Sequence, residues 1–190
     1  LFTQPDILID EKSINLLKKA IKIRRDVIFV APTHNKKIKS NKLNNLPKYT
    51  IVRNLKAACM LCDVNKLNKI GFFDDDFFLY WEDVYLMKKV NKTNYKMILV
   101  HNATAFHDSS KSSENNFRTS YIRSLNFMYG ELLYDYKINK LKTIKVFRKF
   151  FQNIIFFFFN IIIFQLKEAL KNIAKITGTL KFIKFYIKQL

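Results

Sequence analysis

The stretch Gly71-Phe72-Phe73-Asp74-Asp75-Asp76-Phe77-Phe78-Leu79-Tyr80-Trp81-Glu82-Asp83 sets five carboxylates within ten residues among six aromatic side chains. Carboxylates so close repel one another, and a solvated acidic turn is not normally packed between aromatics, so the composition marks a site. Burial beside aromatic rings raises a carboxylate's pKa toward the range useful to a general base. Helix signals bound the stretch on both sides. Asp63 can cap a short helix that stops at Gly71, a suitable residue for the end of a helix, and Glu82 opens a second helix running to about Lys92.

Working outward, an extended stretch from about Ile51 to Leu61 precedes the first of these helices, and an aperiodic Asn- and Lys-rich loop occupies 33–49. Before it, Val27-Ile28-Phe29-Val30 reads as a buried strand ended by Pro32. Ile14, Leu17, Ala20 and Ile21 recur at helical spacing over 11–24, with Asp10 or Ser13 as the N-cap. On the other side, Lys96–Val100 and Ala103–Phe106 read as two short strands around Asn102. Strands and helices thus alternate through the first 110 residues, which predicts an α/β layer architecture. Beyond Asn116 the pattern is helical throughout.

At 190 residues the chain has room for one cored domain plus a tail. No basic region followed by an apolar stretch opens it as in a signal peptide, and the start at Leu1-Phe2-Thr3 reads as a cut. Cys59 and Cys62 form a CxxC in an apolar run without a second Cys or His pair, which predicts buried free thiols in a reducing compartment rather than a redox or zinc site. The net charge is +19, and it is unevenly placed: residues 1–136 carry 22 Lys/Arg against 14 Asp/Glu, whereas 137–190 carry 12 against Glu168 alone. A basic tail attracts nucleic acid or anionic lipid. Between its lysines lies Phe150–Leu166, an uncharged Phe/Ile block flanked by Lys149 and Lys167. As one helix those 17 residues extend about 25 Å, slightly short of a bilayer span. Three placements stay open: a helix lying in the membrane interface, a helix packed on the domain, or a span. Divided by composition, 1–136 form the domain and 137–190 a membrane-associating helical tail.

Two further places carry candidate chemistry. In Gln4-Pro5-Asp6 the carboxylate is either a turn residue or a metal ligand, and His107, at the end of a short strand, is either structural or a ligand. Arg118, Tyr121, Arg123 and Asn126 recur at helical spacing; they are solvated or core residues, or contacts to phosphate or acceptor.

Taken together, Ala57-Ala58-Cys59-Met60-Leu61, the run from Lys69 to Leu86, Tyr95-Lys96 and Ala105-Phe106-His107 resemble the second half of the family 2 inverting glycosyltransferases of the GT-A fold, particularly the rhamnosyltransferase-like branch. Those enzymes show a Gly-Phe-Asp-Glu-like loop, an aromatic residue before a Glu-Asp pair that opens a helix, and a His closing a later strand. The resemblance covers roughly 1–135 and implies a GT-A-like nucleotide-diphospho-sugar transferase fold truncated at its N-terminus. It implies that Asp83 is the general base, that Trp81 and Glu82 shape the acceptor pocket with Asp74 and Asp75 in the loop beside it, and that Asp6 and His107 bind a divalent metal, Mn²⁺ or Mg²⁺. Arg118 and Arg123 fall where relatives place basic residues. Ala57 and Phe72 stand where the family often has Gly, and Tyr85 where an acidic residue often follows the Glu-Asp pair.

The expected function is therefore metal-dependent transfer of a sugar from a nucleotide-sugar donor to a saccharide or lipid-linked acceptor with inversion, in cell-surface polysaccharide synthesis. The expected location is peripheral, on the cytoplasmic face of the cell membrane, against its anionic surface. A basic nucleic-acid-binding module is the alternative of another class; it fits less well because an uncharged Phe/Ile block seeks lipid or a core rather than interleaving with a strand. A noncatalytic glycosyltransferase-like remnant is the third reading.

Overall fold

The Asp10 carboxylate accepts the Ser13 N–H at 2.6 Å and opens helix α1 (Glu11–Ala20), whose Leu16, Leu17 and Ala20 turn inward. The helix is four residues shorter than the apolar periodicity predicts. The structure, a computed structural model, describes residues 1–35, 46–107 and 116–189. Two short strands, β1 (Phe2–Thr3) and β2 (Ile7–Ile9), precede α1. Strand β3 (Val27–Asn35) does not stop at Pro32 as expected: the register against its partner shifts between Pro32 and Thr33, so the ladder is already irregular where proline lacks an N–H. Part of the expected loop is thus strand, and 36–45 lie outside the described residues.

The expected extended stretch 51–61 is two strands, β4 (Tyr49–Val52) and β5 (Cys59–Cys62). Helix α2 (Val64–Ile70) is capped by Asp63 and ends at Gly71, whose φ of 79° suits glycine; α3 (Glu82–Val90) follows. In place of two strands around Asn102 there is one, β6 (Lys96–His107). The sheet order is β1-β5-β3-β6-β2, with β4 also on β6; β3 and β6 run parallel and the other pairs antiparallel.

Adjacent β6 residues face opposite sides. Ile98 joins Leu16, Leu17, Ala20, Val27 and Val30 beneath α1, whereas Met97 joins Ile28, Phe29, Leu67, Leu86 and Val90 beneath α2 and α3. Helices therefore cover both faces of a mixed sheet, and the α/β class is borne out. Cys59 and Cys62 are free thiols, and burial raises both above the ordinary thiol pKa, which keeps them protonated.

By contacts the chain resolves into two compact units: Leu1–Phe73 with Asp83–Ser112, and Asp74–Glu82 with Ser113–Leu190. The compositional division at 136/137 is not where the contacts fall, because α4 (Phe117–Lys137) packs against α6 (Leu166–Ile187) within the second unit. The two helices approach closely at Gly178, where a Cβ would overlap the Leu125 carbonyl oxygen. Helix α5 (Thr143–Ile162) is fastened to α4 by ion pairs. Lys145 Nζ lies 2.9 Å from Glu131 and 2.5 Å from Asp135, and Lys149 Nζ lies 3.1 Å from Glu131. The Phe/Ile block is not one helix: α5 ends at Ile162, Phe164 turns with φ of 57°, and α6 begins at Leu166. Among the described residues no helix is long and apolar enough to cross a membrane.

Gly178→Ala should destabilise this helical unit by about 1–3 kcal/mol through overpacking, read as a lower denaturation midpoint. Burial of Glu131 tends to raise its pKa, but the hydrogen bonds from Lys145 and Lys149 outweigh it and hold the group below its ordinary value of 4.5. Its contribution is therefore present above pH 4.5 and lost as pH falls through the lower folded value. Glu131→Gln should lower stability at pH 7 and flatten its decline in acid, measured by circular dichroism.

Candidate active site

Asp6 sits in the turn between β1 and β2, which the Ile7 N–H closes by donating to the Gln4 carbonyl at 3.2 Å. Antiparallel pairing then sets Ile7 opposite His107, Leu8 opposite Phe106 and Ile9 opposite Ala105. Two residues 101 positions apart in sequence are thus brought to neighbouring backbone positions, with Asp6 one residue beyond the partner of His107. The His107 side chain lies outside the description. Among the described residues no group of three or more His, Cys, Asp and Glu could hold a metal.

Asp83 belongs to the same sheet-bearing unit and lies in the first turn of α3, where its Oδ1 accepts the Val84 N–H at 2.7 Å. The expectation of burial among aromatics does not hold for it: the residue is partly exposed. What the position supplies instead is a fixed, water-accessible carboxylate at the start of a helix.

The segment Asp74–Glu82, a loop up to the first residue of α3, belongs to the helical unit. Lys137, at the last position of α4, donates to Asp74 Oδ2 at 2.8 Å and to Asp76 Oδ2 at 2.6 Å, which relieves the crowding of carboxylates noted in the sequence. Desolvation opposes the Lys137 charge, yet the two carboxylates outweigh it and raise the Lys137 pKa. Asp74 and Asp76 thus have a structural task, and Asp75 is exposed. Phe77 is buried, while Phe78 is 75% exposed.

Tyr80 and Trp81 both take left-handed backbone, with φ of 66° and 71°, which is uncommon for bulky residues and costs roughly 1–3 kcal/mol each. Packing holds them there. The Trp81 ring lies 5.6 Å from Phe127 and 5.3 Å from Tyr134, and Tyr80 meets Phe127 at 5.9 Å. Gly130 makes the seat: a Cβ there would stand 2.9 Å from Trp81 Cδ1 and 3.0 Å from the Tyr80 carbonyl oxygen. The Trp81 indole N–H is buried without a hydrogen-bond partner among the described residues. Glu82 is partly buried at the first position of α3.

No family model, curated protein or solved structure matches this chain.

On α4, Tyr121 donates to Thr177 of α6 at 3.1 Å and Asn126 donates to the Ile122 carbonyl at 2.8 Å, so both serve the helical packing. Arg118, in the first turn of α4, is exposed, and Arg123 is partly exposed. Sequence reasoning missed Lys137, Phe127, Tyr134 and Gly130. Only Gly130 carries a local signal, since glycine inside an otherwise helical pattern costs stability and marks a close approach.

Gly130→Ala should destabilise the unit by about 1–3 kcal/mol and change the Trp81 fluorescence, which a distant packing defect would leave unaltered. Lys137→Met should cost about 1–2 kcal/mol by leaving two carboxylates without their counter-charge. Adding Asp74→Asn and Asp76→Asn should recover part of that loss in a denaturation cycle.

Proposed function

We propose that the chain is the acceptor-side portion of an inverting, GT-A-type nucleotide-sugar glycosyltransferase acting on a saccharide or lipid-linked saccharide. The observation that carries this is the β2–β6 register: the family resemblance assigns Asp6 and His107 to one metal, and the fold makes them neighbours across 101 residues of chain. The mixed sheet with helices on both faces is compatible with the GT-A architecture.

Carboxylate and imidazole together suit Mn²⁺ and accommodate Mg²⁺, so Asp6 and His107 would hold such an ion with a donor diphosphate completing its shell. When bound, the ion neutralises charge on the leaving nucleoside diphosphate. Asp83 takes the proton from an acceptor hydroxyl, whose oxygen forms a bond to the anomeric carbon. The bond from that carbon to the diphosphate breaks on the opposite face, with its electron pair leaving on the phosphate oxygen, and the configuration inverts. One carboxylate suffices because the diphosphate leaves without protonation, unlike the leaving group of a glycoside hydrolase. Trp81 and Glu82, which precede Asp83 in the chain, are assigned to the acceptor. A lipid-linked acceptor fits a peripheral position on the cytoplasmic membrane face.

The test is transfer from a panel of nucleotide sugars into membrane lipid extract by the full-length protein this function requires, with and without Mn²⁺. Metal-dependent transfer that falls at least about 100-fold in Asp83→Asn, with the fold intact, supports both enzyme and base. Undiminished transfer by the variant means the base is elsewhere, and no transfer from any donor leaves a noncatalytic relative.

A further inference from the structure

The two halves of α5 differ in what holds them. Its first half carries Lys145 and Lys149, both ion-paired to α4, and buries Val146 and Asn153. From Ile155 through the turn to Leu166 no residue is buried and none is charged. Consecutive pairs are exposed, Phe158 with Phe159 and Ile161 with Ile162, so apolar surface wraps more than half the helix instead of forming one stripe. The two most exposed side chains of this stretch, Ile162 at 73% and Phe164 at 88%, lie at the turn. An apolar end of this size is not a normal solvent surface.

Charge selects the occupant. Arg148 and Lys167 bracket the apolar end, and neither makes an ion pair among the described residues. Residues 137–190 carry 12 Lys/Arg against one acidic residue. A second copy of this chain would bring the same positive field and is disfavoured, whereas an anionic lipid surface offers both an apolar layer and negative headgroups. Lys167 lies three residues past Phe164, so the turn cannot go deep without drawing that charge into hydrocarbon.

We propose that the C-terminal end of α5 and the α5–α6 turn form a one-leaflet membrane anchor. Ile155–Leu166 enter the headgroup and upper acyl layer while Arg148 and Lys167 hold anionic headgroups. The depth expected for such an element is about 5–10 Å. This narrows the tail's membrane contact to one end of one hairpin, and it stands or falls independently of sugar transfer.

The test is co-sedimentation of the 190-residue chain with vesicles of phosphatidylcholine and phosphatidylglycerol in equal parts, and with phosphatidylcholine alone. Wild type should bind the anionic vesicles and bind the neutral ones more weakly. Phe158→Glu with Ile162→Glu, both at exposed positions and checked for helicity, should lose at least about tenfold in binding. Arg148→Gln with Lys167→Gln should lose several-fold on anionic vesicles only. Ile162→Trp should shift to the blue on binding and be quenched by brominated acyl chains, with wild type reporting the Trp81 background. Undiminished binding by the glutamate variant overturns the anchor, as does wild type that stays in the supernatant. An oligomer that the glutamate variant converts to monomer, with no vesicle binding by wild type, assigns the surface to a second copy instead.

Discussion

Strand β6 has two edges and three partners, and the arrangement of the sheet depends on how it divides them. β3 occupies one edge along nearly its whole length, while the other is shared, with β4 along Met97–Val100 and β2 along Ala105–His107. Between the two, β6 must leave the ladder without stranding buried backbone groups. It does so with side chains and a local loop: the His101 N–H donates to the Lys48 carbonyl, Asn102 binds the Lys48 N–H and the Leu46 carbonyl, and the Thr104 N–H donates to the Ser13 hydroxyl of α1. The register against β3 shifts at the same place, where Pro32 faces Val100 and the next residue faces Thr104. Because β6 resumes pairing after this interruption, β2 has an edge to join, and Asp6 comes to lie beside His107.

That interruption explains which parts of the fold were legible in the sequence. Caps were legible because a cap is settled within four residues: Asp10, Asp63 and Gly71 all act where the pattern places them. Strand limits were less so. Asn102 looks like a break between two strands and Pro32 like an end, since each is unfavourable in a regular ladder. Both are tolerated because they meet at one irregularity, and that meeting is a property of pairing across 70 residues. Ser13 shows the same limit, reading locally as a cap while acting as a buried acceptor for a strand 91 residues away.

For the candidate site, the separation between local and distant causes is sharper. The density of carboxylates in 74–83 could be read directly, but not its resolution, because Lys137 lies 61 residues beyond Asp76 and resembles every other lysine of a basic chain. Nor does the sequence reveal that Tyr80 and Trp81 adopt left-handed backbone. Such a conformation persists only where surrounding contacts over-determine it, and here Phe127, Tyr134 and the absent Cβ of Gly130 do so. The chain passes from the helical unit to the sheet unit between Glu82 and Asp83, immediately after this pinned pair.

The tail shows why net charge alone is a poor guide to partners. Of its cations, Lys145 and Lys149 neutralise α4, Lys171 pairs with Glu168, and Lys181 lies 4.4 Å over the Tyr129 ring, so the field available outside is smaller than the count implies. The apolar end is likewise limited. Burying a large side chain from full exposure is worth about 1.5–3 kcal/mol, and these side chains enter from partial exposure, which places their sum near that of a single fatty-acyl chain before ordering and immobilisation are subtracted. A single chain of that kind holds a membrane only marginally and reversibly. Neither the Phe/Ile end nor the lysines would suffice alone. In the proposed anchor their adjacency in one hairpin supplies the two signals that stable association needs, which would tie it to anionic lipid rather than to any apolar surface.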